Sequence, residues 1–242
     1  MYEPQDLADQ KTHTALLLFA RSSSVEAIEK NIAKGRSLQQ VRQIYQSFNE
    51  RIASIARGSS IPFYIIDEKR QSGSDFGTRI ASAFQLLFDK GHDNVICIGN
   101  DCPNLDVGDI RIAQQQLMSG KQVLGPDRRG GTYLIGIQRS KFRYDEFAKI
   151  EWQTTNTFHA LTDHFGATEI ALLDQKSDIN QWHDLVDFIK SNTRHYLRRI
   201  IICILRLRLA FLNHIQTYHQ ELFLVHMVQR RGPPLYQSIH SS

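Results

Sequence analysis

The sequence predicts an α/β protein with a mixed, mostly parallel central sheet and helices on both faces. Three observations predict it. Short apolar runs alternate with amphipathic stretches at the spacing of strand–helix–strand units. The stretches between them carry apolar residues three and four apart, the period of a helix lying on a sheet. Polar residues also collect just after the apolar runs: Arg21 to Ser24, Asp67 to Lys69, and Asn100 with Asp101. In sheets of this class ligands sit beyond the carboxyl ends of the strands.

The elements follow in order. "TALLLFA" (Thr14–Ala20) reads as a buried strand. "SLQQVRQIYQSFNERIASIA" reads as a helix capped by Ser37, with Leu38, Val41, Ile44, Tyr45, Phe48, Ile52 and Ile55 on one face. "IPFYIID" (Ile61–Asp67) is the second strand. "DFGTRIASAFQLLFDKG" is the second long helix, with Phe76, Ile80, Phe84, Leu87 and Phe88 facing inward and Gly91 as its stop. "NVICIG" is the third strand and "VGDIRIAQQQLMSG" the third helix. Two strands, "QVLG" and "TYLIGI", then follow on either side of "PDRRGG".

Asp101 raises a specific question. A carboxylate at the end of a buried strand is costly unless something pairs with it. One reading makes it part of a ligand site; the other makes it a cap for the helix that starts near Asp106, or a turn residue beside Pro103. Spacing alone leaves both open.

Composition bounds the answer. The 242 residues are 41% hydrophobic and 22% charged, ordinary for a globular chain with a sizeable core. The polar N-terminus predicts no leader peptide, and three cysteines without paired or metal-type spacing predict free thiols in a reducing cytoplasm. Cys102 has no base beside it in the sequence and reads as a small residue in a tight turn. The net charge of +4 is uneven: residues 191–242 hold seven arginines and one acid, Glu221, a net of +6, so residues 1–190 carry −2. The overall basicity belongs to the tail and argues no nucleic-acid partner. The tail's longest apolar run is the six residues Ile200 to Leu205, against the roughly 20 that span a bilayer.

Six segments in order, "LLLFAR", "QSGSDFGTRI", "IGNDCPNL", "LGPDRRGGTYLIGI", "IEWQTTNT" and "SDINQWHDL", resemble small bacterial glycosyltransferase-like proteins of the nucleotide-diphospho-sugar transferase (GT-A) superfamily. That group includes arsenosugar-biosynthesis glycosyltransferases, with cofactor guanylyltransferases as more distant relatives. The resemblance covers roughly residues 14–190. It implies a GT-A-like three-layer domain over residues 1–190, followed by a basic helical extension over 191–242. It also implies transfer of a sugar from a nucleotide-diphospho-sugar to a small acceptor, assisted by Mg²⁺ or Mn²⁺.

Residue by residue, the resemblance implies that Asp101 is the catalytic acidic position and a metal ligand. Asn180 stands where the family has a second metal-binding aspartate, with Asp178 at the first. Arg79 would lie near the base or phosphate, and Arg21, Asn100 and Trp152 at the donor. Gly73 and Gly77 would allow close backbone approach, and Gly130 and Gly131 would let the chain pass under the sugar. Trp152 has core packing as its competing role.

The chain also departs from the family. "SSSVEAIEKNIAKG" replaces a loop with proline and glycine suited to phosphates, bringing in Glu26 and Glu29, with Lys30 and Lys34 as out-of-register substitutes. Arg129 stands where the family has the acid before Gly-Gly, with Asp127 two residues earlier. Gln181-Trp182 replaces Thr-Pro. Arg128 and Arg129 would then take over phosphate contacts, or the fold has kept its cleft and lost turnover; a nucleotidyltransferase is the remaining alternative. For the extension, packing on the domain or a homodimer contact is expected ahead of a membrane-surface helix.

Overall fold

The computed structural model describes residues 13–30, 32–191 and 193–206. Six strands form one sheet: β1 (Thr14–Phe19), β2 (Phe63–Ile66), β3 (Asn94–Ile98), β4 (Gln122–Pro126), β5 (Thr132–Gln138) and β6 (Ile170–Leu172), in the order β2-β1-β3-β5-β4-β6. Five strands point the same way. β5 alone is reversed, pairing antiparallel with β3 and with β4. The mixed, mostly parallel sheet expected from the sequence is therefore present. The reversal places the start of β5 beside the carboxyl ends of β3 and β4.

The helices are α1 (Ser23–Glu29), α2 (Leu38–Ser59), α3 (Phe76–Asp89), α4 (Val107–Met118), α5 (Tyr144–Ala148), α6 (Thr157–Phe165), α7 (Trp182–Ser191) and α8 (Tyr196–Leu205). Ser37 caps α2 in a reciprocal box with Gln40, and Asp75 does the same for α3 with Thr78. Gly91 follows α3 at φ +96°, the left-handed conformation that ends a helix cheaply only at glycine. Leu38 departs from its expected inward role: in the first turn of α2 it is exposed.

Both faces of the sheet are covered. Along β1, Ala15 and Leu17 pack toward α3 and α5, whereas Leu16 and Leu18 pack toward α2 and α4, the two-residue period of a strand. A third apolar cluster joins Ile44, Tyr45 and Phe48 of α2 to Leu185 and Ile189 of α7 and to Leu197, Ile201 and Leu205 of α8. The described part of the basic extension thus packs on the domain. Gln40 Nε2 donates to the Ile204 carbonyl at 2.7 Å, and Arg198 Nε to the Ile189 carbonyl at 2.7 Å. Residues 207–242, and with them most of the extension, lie outside the described residues. Among the described residues no helix is long and apolar enough to cross a membrane.

Candidate functional site

A cleft of about 500 Å³ opens at the carboxyl ends of β1 and β3, within the size range of small-molecule sites. Arg21 follows β1, Asn100 and Asp101 follow β3, Arg79 comes from the first turn of α3, and Gly131 from the β4–β5 turn. Trp152 and Asn180 reach it from later loops. Seven residues singled out from the sequence thus meet in one place. Gly73, Gly77 and Gly130 do not line it. A Cβ at Gly77 would meet the Ala148 carbonyl and Trp152, and one at Gly130 would meet the Thr155 carbonyl. Gly73, at φ +139°, lets the chain fold tightly over Thr78 and Arg79.

The partner of Asp101 is Lys30, whose Nζ lies 2.8 Å from Asp101 Oδ2. Asp106 supplies the helix cap that Asp101 was a candidate for, in a reciprocal box with Asp109. By sequence Lys30 stands out of register with the family's phosphate loop. The chain there forms α1 instead, and Lys30 ends it, one turn beyond Glu26: its N–H donates to the Glu26 carbonyl at 2.8 Å, and its Nζ lies 3.9 Å from Glu26 Oε2. A helical turn is what brings Lys30 into register with β3. Lys34, beyond the turn, is exposed. Ser22 begins α1 with its N–H and Oγ both donating to Glu68, at 2.7 and 2.8 Å, which ties the ends of β1 and β2 together.

The electrostatics of this corner are dominated by burial. Burial pushes the Glu26 carboxyl up, against the pull of Lys30. It also pushes Asp178 well above the usual carboxylate range, and repulsion from Asp101 and Asp127 adds to the effect. Glu26 Oε2 and Asp178 Oδ1 are shielded and accept no hydrogen bond from the described residues, so both acids are biased toward the neutral form. Burial works against the charge of Lys30 too, but Asp101 and Glu26 prevail and hold its ammonium above the usual lysine range. Cys102 is buried, and desolvation, with Asp178 and Asp101 nearby, pushes its thiol up, consistent with an inert turn residue.

The remaining groups divide between structure and cleft. Asn100 is 4% exposed and donates through Nδ2 to Asn49 of α2 at 3.0 Å. Trp152 lines the cleft while its ring packs on Phe76 and Phe147, and its Nε1 donates to the Phe147 carbonyl. Arg79 Nε is shielded and has no acceptor among the described residues. Asp127 shapes the β4–β5 turn, with Oδ1 accepting from the N–H groups of Arg129 and Gly131 at 2.6 and 2.8 Å. Arg129 is held by Asp184 at 2.5 Å, and Asp184 Oδ2 also accepts from the N–H groups of Asn180 and Gln181. Arg128 faces away, into a neighbouring cleft of about 810 Å³ that also meets Arg129 and Asp178. Gln153, in the loop carrying Trp152, holds φ +60°, a conformation costly for a non-glycine residue; nothing in its sequence neighbourhood signals this.

These residues do not fit the divalent ion that the resemblance implies. In a phosphate-binding site a Mg²⁺ ion is held by one or two ionised carboxylates together with the phosphates. Asp101 already carries an ammonium on Oδ2, Asp178 beside it is buried and biased toward its neutral form, Asn180 is neutral, and the position before Gly130 is an arginine pinned to Asp184. Among the described residues no three His, Cys, Asp or Glu side chains form a metal-binding group.

A family model described as an uncharacterized protein conserved in bacteria, DUF2064, matches residues 63–154. No curated protein matches the chain. Among solved structures, a candidate nucleotide-diphospho-sugar transferase from Desulfovibrio desulfuricans G20 is 21% identical, with a TM-score of 0.68 over 81% of this chain and 94% of that one. Rv0371c from Mycobacterium tuberculosis H37Rv is 12% identical, with a TM-score of 0.45 over 76% of this chain and 100% of that one. Residues 63–154 carry the likeness to DUF2064, and over 81% of its length the chain shares the fold of the Desulfovibrio protein.

Proposed function

We propose that this protein binds a nucleotide-diphospho-sugar in the cleft beyond β1 and β3 and transfers the sugar to a small acceptor. The observation that carries this reading is the unpartnered guanidinium donor of Arg79 in the cleft. Arg21, Lys30 and Arg79 line the cleft beside the acids Glu26, Asp101, Asp127 and Asp178; Arg21 and Lys30 are paired with Glu29 and Asp101, whereas Arg79 Nε is a shielded donor with no acceptor of its own among the described residues. A diphosphate supplies such an acceptor, and a guanidinium binds phosphate through paired, charge-assisted hydrogen bonds. Trp152 offers an aromatic face to a base or sugar.

In the transfer, a nucleophilic atom of the acceptor bonds to the anomeric carbon. The bond from that carbon to the terminal diphosphate oxygen breaks, and its electron pair leaves with the nucleoside diphosphate. The acceptor's proton passes to water or to a carboxylate of the cleft. The cations stabilise the charge that grows on the departing diphosphate, where fixed electrostatics matter most.

A second reading, a nucleotide-binding protein without turnover, is favoured by the engagement of Asp101 with Lys30 and of Arg129 with Asp184. Thermal shifts with UDP-, GDP-, ADP-, CDP- and dTDP-sugars test binding, since a ligand of the folded state raises its melting temperature. One nucleotide series is expected to stabilise the wild type but not Arg79→Ala. Release of the matching nucleoside diphosphate then separates the readings: turnover supports the transferase, and binding without release supports the second. No shift with any donor overturns both.

A further inference from the structure

We propose that the Lys30 ammonium serves as the resident cation of this cleft, so that the diphosphate is bound and its charge neutralised without a divalent metal. The inference rests on the nucleotide-sugar reading above and adds how that site handles charge. It is carried by position. Lys30 Nζ lies 2.8 Å from Asp101 Oδ2 and 3.9 Å from Glu26 Oε2, on a carboxylate delivered by the end of β3. Its side chain is 30% exposed and lines the cleft together with Glu26, Asp101 and Asp178.

An ammonium has three donors, and the contact with Asp101 uses one of them. Glu26 lies 3.9 Å from the same Nζ without a hydrogen bond to it, and the remaining donors go to phosphate oxygens. The lysine is also held in place. Its backbone closes the last turn of α1, and that helix is anchored at its start by Ser22 on Glu68. A divalent ion at Asp101 would have to displace this ammonium or share the carboxylate with it, against direct repulsion.

The test measures binding of UDP, GDP, ADP and CDP by calorimetry, with EDTA and with Mn²⁺, alongside binding of Mn²⁺ alone. Wild type is expected to bind one nucleotide equally well in EDTA and in Mn²⁺, and not to bind Mn²⁺ by itself. Lys30→Met, which keeps the stem and removes the charge, should lose about tenfold to a hundredfold in nucleotide affinity in EDTA, the weight of a charge-assisted hydrogen bond. With Asp101 and Glu26 left unpaired, this variant should also gain Mn²⁺ binding, and nucleotide affinity should return when Mn²⁺ is added. Circular dichroism of the variant, and of Lys30→Arg as a charge-keeping control, establishes folding independently.

Nucleotide binding by wild type that requires Mn²⁺ overturns the proposal while leaving the proposed function standing. So does a folded Lys30→Met that binds nucleotide as well as wild type in EDTA. Absence of binding to every nucleotide in every condition overturns the proposed function, and this inference with it.

Discussion

At the scale of single residues, the corner formed by Glu26, Lys30 and Asp101 concentrates the chemistry of this protein. Glu26 is only 5% exposed, and its carboxyl is pushed up mainly by burial. A carboxyl whose native pKa lies above its unfolded value favours the folded state while protonated. That contribution is complete below the ordinary glutamate range and is lost as pH rises through the raised native value. Glu26→Gln keeps the shape of the neutral acid and cannot ionise. The variant is therefore expected to match wild-type stability best below the ordinary glutamate range, to gain on it as pH rises through the raised native value, and to hold that gain above it. Urea unfolding of both proteins across that window checks the sign; a wild type that gains on the variant as pH rises would refute it.

At the scale of elements, the contact between α3 and α5 positions one wall of the cleft. Gly77 lies in the first turn of α3, and a side chain there would collide with the Ala148 carbonyl at the end of α5 and with Trp152. Helix propensity and packing make opposite predictions for Gly77→Ala. Propensity favours alanine by about 1 kcal/mol. Overpacking a close contact costs about 1–3 kcal/mol, and here backbone as well as side chain must move. The melting temperature is therefore expected to fall, with a change in the environment of Trp152 visible in its fluorescence. A rise in melting temperature would mean the two helices separate freely. The glycine was noticed in the sequence for its place in "DFGTRI" and was expected to serve the ligand. Its constraint comes from α5, some seventy residues away, which no local pattern reveals.

At the scale of the whole molecule, the described part of the basic extension belongs to the core. Leu197, Ile201 and Leu205 of α8 are fully buried against α2 and α7. A detachable tail would tolerate truncation of these side chains. An integral one should lose about 2–5 kcal/mol for Ile201→Ala, the usual cost of emptying a well-packed aliphatic site. The midpoint of urea unfolding, with the transition remaining single, is the measurement. The same packing makes α2 a layer shared between the sheet and α8, because along one apolar face Val41 to Phe48 pack with α7 and α8 while Ile52, Ile55 and Ala56, further along its 22 residues, pack toward the sheet.

Much of this architecture is written in local patterns. Apolar runs at β1, β2 and β3, the three-and-four spacing in α2 and α3, and the capping residues Ser37 and Asp75 each act through neighbours a few residues away. For that reason they could be read without a structure. The same is true of Asp101 at a strand end and of Arg21 and Asn100 near the same edge. The short β6 carries too little apolar periodicity to stand out. Lys30 is the clearest case of the opposite kind: its importance depends on the segment after β1 coiling into a helix and on β3 delivering a carboxylate 71 positions later. The roles of Gly77 and Gly130 and the capture of Arg129 by Asp184 depend in the same way on which elements meet. Short-range spacing dictates which way each side chain faces on its own helix or strand, whereas charge pairing and steric closure are set by contacts between segments that only folding brings together.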